Sequence, residues 1–176
     1  MKDKKEIFDS PYLDNNFIQA ETELGNLLKD SPIPDNELAE NTNLYLSPRT
    51  LKRQLFFNYL YQKNLELHGD VFLFGLRWGR ELSLLESLRT IYEPYNSSRK
   101  IIGFDSFRGF PEITQKDKSS HSPQLKIGNL STTSNYVNHL SDVLSVRRKL
   151  DSLPGLERTF IVKGEATKTL NTYLKE

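Results

Sequence analysis

The sequence predicts an α/β fold built on a parallel sheet, and three observations carry that prediction. Three short apolar stretches, Val71–Phe74, Lys100-Ile-Ile-Gly-Phe104 and Thr159–Val162, have strand length and little polar alternation, as strands covered on both faces do. Each ends in a turn or capping signal: Gly75, Asp105 and Lys163-Gly164. Between them lie segments whose apolar residues recur at helical spacing, and strands alternating with helices imply parallel pairing through right-handed crossovers.

In chain order, residues 1–46 are mostly polar, with prolines at 11, 32 and 34. They are expected to form a partly irregular extension holding one weak helix at best. At Ser47-Pro48 the pattern changes, because serine caps a helix and proline suits its first turn. Leu51, Leu55, Phe56, Tyr59 and Leu60 then share one face, which predicts a helix from about Pro48 to Leu65 packed on the sheet. Residues 47–176 are read as one α/β domain. After the first strand, Leu76-Arg77-Trp78-Gly79 is a short loop, and Leu84, Leu85, Leu88, Ile91 and Tyr92 make a second stripe that Pro94 stops. Residues 112–131 read as a surface loop. Val137, Leu140, Leu144 and Leu150 predict a third helix from about Thr133, and Leu170, Tyr173 and Leu174 a last short one.

A chain of 176 residues has the size of one domain, with 36% hydrophobic side chains to build a core. The balance of 24 basic against 23 acidic residues, net +1, supplies no overall field toward nucleic acid or an anionic membrane, and neither partner is expected. The absence of cysteine excludes disulfides, thiolate nucleophiles and Cys-based zinc sites. The start, MKDKKEIFDSPYLDNN, lacks the apolar core of a secretory signal, and nowhere do 18 apolar residues run together. A soluble, cytoplasmic protein is the expectation.

Ligands of an open parallel sheet bind beyond the carboxyl ends of its strands. Three such ends carry candidate residues: Gly75 to Gly79, Asp105 to Phe107, and Gly164-Glu165. Glycines let backbone approach a ligand, the following helix N-terminus favours a carboxylate or phosphate, and an acid ending the second strand can accept from ribose hydroxyls. Taken singly, a glycine after a strand is only a turn and an aspartate only a cap. The order of elements and the thirty-residue spacing make an adenosine-type pocket the better reading.

The stretches HGDVFLFGLRWGRELSLL, KIIGFDSFRGFPE and TFIVKGEATKTL resemble the macrocin O-methyltransferase family, S-adenosylmethionine-dependent enzymes that modify sugar hydroxyls of macrolides and related metabolites. The likeness runs from about Ser47 to the C-terminus, and GFDSFRGFP is its most specific part. It implies a Rossmann-like sheet of the class I methyltransferase type, with S-adenosylmethionine as cofactor and a small-molecule sugar or glycan as substrate. It also implies that Gly75, Leu76 and Gly79 line the methionine end, that Asp105 holds the ribose with Ser106 and Phe107 beside the adenosine, and that Gly164 and Glu165 lie near the adenine. Trp78 is read as a lid over the cofactor, the plainer alternative being packing on the domain.

Two departures accompany the resemblance. The family carries a glutamate where this chain has Leu73, leaving Asp70 or Glu81 as substitutes toward the cofactor's ammonium group. The family's fourth strand, with acidic residues that bind a divalent metal such as Mg2+ and serve proton transfer, has no counterpart before Glu176. The fold is therefore expected to be truncated after its third strand, with no metal ligands and no nameable catalytic residue. The first strand would then expose an apolar edge, so a homo-oligomer, a swapped segment or the N-terminal extension is expected to cover it.

Other readings rank lower. A truncated, non-catalytic binding or assembly module is the main alternative. An NAD domain lacks its G-x-G-x-x-G loop. Ser47 to Leu55 superficially resembles an AraC-type recognition helix, but a capped amphipathic helix explains it. His68, His121 and His139 lack metal-ligand spacing, and Arg147-Arg148-Lys149 reads as a solvated helix face.

Overall fold

The structure, a computed structural model, describes residues 15–113 and 126–175. The N-terminal sixteen-residue stretch read for a signal falls almost wholly outside these, as do His121 and most of the 112–131 loop. Two compact units divide the chain between Leu55 and Phe56.

The first unit is more helical than its polar sequence suggests. Helix α1 (Asn15–Lys29) and α2 (Asp35–Asn41) are followed by a 3-10 turn at Thr42–Tyr45. Phe17, Leu24 and Leu28 recur at helical spacing without an intervening proline, and Ser31-Pro32 ends the run. Asp35 and Glu37 stand in the first turn of α2, where they complement its dipole. Side-chain bonds stitch the unit: Tyr45 Oη donates to Ser31 Oγ at 2.9 Å, and Ser47 Oγ to Glu21 Oε1 at 3.1 Å. Ser47 also accepts from the Thr50 N–H at 3.3 Å, so it caps α3 (Pro48–Asn64), a helix that crosses the boundary between the units.

The second unit is the α/β part. Strands β1 (Val71–Phe74), β2 (Ile101–Asp105) and β3 (Thr159–Lys163) form a parallel sheet in the order β1-β2-β3. Val71 stands opposite Ile101 and Ile101 opposite Thr159. Helices α4 (Arg80–Tyr92) and α5 (Tyr136–Arg148) supply the two connections, and α6 (Ala166–Tyr173) follows β3. This is the Rossmann-like α/β architecture that the alternation predicts.

Strand periodicity splits the apolar residues between two faces. Val71, Leu73, Ile101 and Ile161 join Leu82, Leu85 and Leu88 of α4 and Leu140 and Leu144 of α5 in the main core. On the other face, Phe104 packs on Phe72 and Phe74, and Tyr173 of α6 meets Phe72 and Phe104 edge-on, each at 5.7 Å between ring centres. Leu150, expected on α5, lies beyond its end and is exposed.

Helix α3 departs from expectation. The stripe Leu51, Leu55, Phe56, Tyr59 and Leu60 is exposed, whereas Tyr61 is buried and Phe57 packs on the core. Hydrophobic spacing misidentifies the inner face because that face is partly polar. Asn58 Oδ1 accepts from Tyr92 Oη at 2.8 Å, and the carbonyl of Asn64 accepts from Arg99 at 3.3 Å. Buried polar groups with partners cost little.

The foot of the sheet, below the N-terminal ends of the strands, is held by arginines. Arg89 of α4 and Arg158 before β3 both donate to the carboxylate of Asp151, the latter at 2.5 Å, and all three side chains are buried. Arg99 pairs with Glu93 at 2.8 Å, and Tyr61 donates to the same carboxylate at 2.7 Å. Arg147 is not on a solvated face: it is half-buried and bonds Glu86, the Ser83 carbonyl and Ser87, joining α5 to α4.

Candidate functional site

The candidate site lies at the carboxyl ends of the strands, around the loop from Gly75 to Gly79. Three of its five residues adopt positive φ: Gly75 (83°), Arg77 (47°) and Gly79 (72°). That alternation is an amide nest, in which successive N–H groups converge on one point. A side chain of the chain itself fills it. Asp105 Oδ2 accepts from the Leu76 N–H at 2.6 Å and the Arg77 N–H at 2.7 Å, while Oδ1 accepts from the Phe107 N–H at 2.6 Å. The Asp105 carbonyl accepts from the Gly164 N–H at 2.9 Å. One residue thus ties together all three strand ends singled out by the sequence.

The remaining candidates divide by whether they meet solvent. Gly75 is exposed, and an added Cβ there would meet nothing within 4 Å, so the backbone has open space above it. Leu76 points inward, 2% exposed, against Gly103, whose own Cβ would lie 2.5 Å from it. Only its backbone belongs to the mouth. Gly79 has its missing side chain's place taken by Leu140, and Gly164 by Thr169. Phe107 is buried in the core cluster with φ 58°, while Ser106 accepts from the Arg108 N–H at 3.2 Å. Glu165 is occupied by Lys168, 2.8 Å away, and by Thr167; the hydrogen bond from Lys168 and its charge hold the Glu165 carboxyl below its ordinary range.

Trp78 packs on the domain and keeps part of its ring in solvent. It is 44% exposed, yet its ring meets Tyr136 edge-on at 4.7 Å between centres, and Arg77 lies over it at 5.6 Å. Tyr136 Oη donates to the Trp78 carbonyl at 2.8 Å, and burial pushes its phenol up, so it remains a donor. Arg77, Tyr136 and Leu140 are site-building residues that the sequence reading missed. The positive φ of Arg77 has no signal in a non-glycine residue. Tyr136 and Leu140 lie some sixty residues downstream, where only the fold brings them to the loop.

Leu73 packs against the main core. Of its two suggested substitutes, Asp70 sits at the opposite end of β1 and accepts from the Lys100 N–H at 2.8 Å. Glu81 stands in the first turn of α4, beside the loop, bonded to Arg80 at 2.9 Å. An open cleft of about 460 Å³ runs beside β3 and α6, lined by Lys163, Lys168, Thr169 and Tyr173 among others. It neighbours Gly164 but none of its lining comes from the Gly75 loop or Asp105. Among the described residues no group of three or more His, Asp and Glu side chains is placed to hold a metal ion, and no helix is long and apolar enough to cross a membrane.

No protein-family model matches the chain, and no curated protein matches it. Solved structures do. The crystal structure of CalS11, calicheamicin methyltransferase, superposes with a TM-score of 0.85 at 32% identity, over 92% of this chain and 63% of that one. The apo structure of CalS11, TDP-rhamnose 3'-O-methyltransferase, an enzyme in calicheamicin biosynthesis, gives 0.76 at 28% identity, over 99% of this chain and 65% of that one. The structural neighbours are therefore sugar O-methyltransferases, which supports the general class of the resemblance and not the macrocin enzyme in particular. The chain spans a little under two thirds of the length of these neighbours.

Proposed function

We propose that the chain binds S-adenosylmethionine over the carboxyl ends of β1 and β2 and serves the methylation of a sugar hydroxyl. The observation that carries this reading is the superposition on CalS11, TM-score 0.85 at 32% identity across 92% of the chain. The site's own geometry is compatible with the cofactor. Gly75 leaves open space above the backbone for close approach, and exposed Trp78 supplies an aromatic wall beside it. Three of the roughly four acceptor positions of the Asp105 carboxylate are taken by backbone N–H groups, so one remains for a ribose hydroxyl.

Electrostatics favour the same choice over a dinucleotide. A pyrophosphate seeks an empty amide nest, and this nest already holds a carboxylate. An incoming phosphate would meet a like charge, whereas the sulfonium of S-adenosylmethionine would meet an opposite one. When bound, that sulfonium supplies the transferable methyl group. The protein's part is to hold cofactor and acceptor in line and to keep the loop rigid while it does so. The described residues do not fit a divalent metal, and no step through one is derived.

The second neighbour's description makes a nucleotide-linked deoxysugar the first acceptor to try. The test is calorimetric titration of the chain with S-adenosylhomocysteine, followed in parallel by the fluorescence of Trp78, the one tryptophan present. Binding of the nucleoside together with silence toward NAD is expected. No heat and no fluorescence change with millimolar S-adenosylmethionine or S-adenosylhomocysteine would overturn the proposal.

A further inference from the structure

The foot of the sheet holds more donors than acceptors. Arg89, on the last turn of α4, and Arg158, just before β3, bond the two oxygens of the Asp151 carboxylate, and each side chain is only 1% exposed. Arg158 also donates to the Asn96 carbonyl at 2.6 Å. Beyond these bonds, Arg89 Nε and Nη1, Arg158 Nε and the Thr159 hydroxyl are enclosed without a hydrogen-bond partner among the described residues. Buried donors in native proteins are nearly always satisfied, and a charged one left bare is the costliest kind. These four belong together in space. The two guanidiniums flank one carboxylate, and Thr159 follows Arg158 directly, two positions before Ile161 and so on the strand face that meets the core.

Charge is out of balance at the same place. The Asn96 side chain donates to Glu93 while its carbonyl accepts from Arg158, so the Arg99–Glu93 pair adjoins the Asp151 group. Three guanidiniums, Arg89, Arg99 and Arg158, thus stand against two carboxylates, Glu93 and Asp151, a surplus of one positive charge. No other acid makes up the difference: Glu86 is taken by Arg147, and Glu157 is half exposed and bonded to Arg148. Tyr61 donates to Glu93, and burial pushes its phenol up, so it stays neutral. Arginine keeps its proton in a protein interior, and an uncompensated charge there is strongly unfavourable. A water molecule would satisfy donors and leave the charge.

We propose that the foot of the sheet binds one small monovalent anion of the chloride class, held by Arg89 and Arg158 with the Thr159 hydroxyl as a further donor. Its single negative charge cancels the surplus. The donors are shut off from the surface, so an acceptor on another segment or partner does not reach them, and a bulky polyatomic anion has no path in. Residues 89, 151 and 158 meet only when the chain folds, so the anion is enclosed in the folded state and stabilises it by mass action. This inference does not depend on the cofactor assignment, which concerns the opposite end of the sheet.

Urea unfolding of the full chain in sodium chloride and in sodium gluconate, at one ionic strength, tests the proposal. The unfolding equilibrium constant should be lower in chloride, by about 100-fold once free chloride exceeds its Kd by about 100-fold, and bromide should replace chloride. Arg89→Met removes the surplus charge and two of the bare donors, leaving Arg158 and Asp151 as a one-to-one pair; its midpoint should be the same in both salts. Crystals of the wild-type chain grown in sodium bromide should show an anomalous peak in contact with Arg89 and Arg158, a readout that stands even if the variant does not fold. Equal wild-type midpoints in chloride and gluconate, a chloride effect that Arg89→Met keeps in full, or bromide peaks confined to the surface would each overturn it.

Discussion

Replacing Asp105 by asparagine separates two roles that the wild-type carboxylate combines. The carboxylate accepts from the N–H groups of Leu76, Arg77 and Phe107 at 2.6–2.7 Å, and two of those residues, Arg77 and Phe107, sit at positive φ. An amide oxygen can stay with Leu76 and Arg77, but the amide nitrogen then faces the Phe107 N–H, donor against donor. Hydrogen bonds to a charged group contribute about 1.5–3 kcal/mol each, so losing one and weakening two should cost about 2–4 kcal/mol. For a chain of this length that lowers Tm by about 5–10 °C. Because Trp78 lies inside the loop and is the one tryptophan, its quenching by acrylamide reports the loop directly and should increase. If Tm and quenching match wild type within error while nucleoside binding is lost, Asp105 is a ligand and not the organiser of the loop, and the reasoning fails. Loss of all three together supports it.

The glycines of the loop should behave differently from each other. Gly75→Ala carries only the strain of a left-handed alanine, about 1–2 kcal/mol, whereas Gly79→Ala adds overlap with Leu140 and should cost about 2–4 kcal/mol; urea denaturation of the two variants checks the order. At the foot of the sheet, Asp151→Asn leaves two buried guanidiniums without their shared carboxylate and should cost about 3–5 kcal/mol, read in the same experiment. Stability should also fall in acid. Although desolvation by burial opposes it, hydrogen bonds from Tyr61, Asn96 and Arg99 hold the Glu93 carboxyl below its ordinary range, and Arg89, Arg158 and the Leu153 N–H do the same for Asp151. A lowered folded pKa contributes stability above the unfolded value, near pH 4, and loses it as pH falls through the folded value. Thermal scans from pH 6 downward should show Tm dropping below about pH 4, with a shallower drop in Asp151→Asn.

The sheet was legible because its strands are short unbroken apolar runs, and the central one, β2, is buried on both faces. Val71–Phe74 is predicted residue for residue, and β2 and β3 to within one residue at either end. The arrest of α4 before Pro94 follows from the missing N–H of proline. The partnering of Arg147 was not legible, because Glu86, Ser83 and Ser87 lie some sixty residues away and nothing local distinguishes a paired arginine from a solvated one. Helix α3 misled for the opposite reason: its apolar stripe is the strongest local signal, yet the side chain that a distant partner holds is that of Asn58, bonded by Tyr92. At the site, the three strand ends were legible from glycine and acid placement. Their mutual arrangement was not, because a carboxylate that binds backbone amides leaves the same letter in the sequence as one that waits for a ribose.

The aromatic contact between α6 and the sheet bears on how the protein is handled. Tyr173 of α6 packs on Phe72 and Phe104. A fluorescent label or affinity tag inserted beside Tyr173 would compete with that contact for space. A flexible Gly/Ser spacer would let the ring keep its seat.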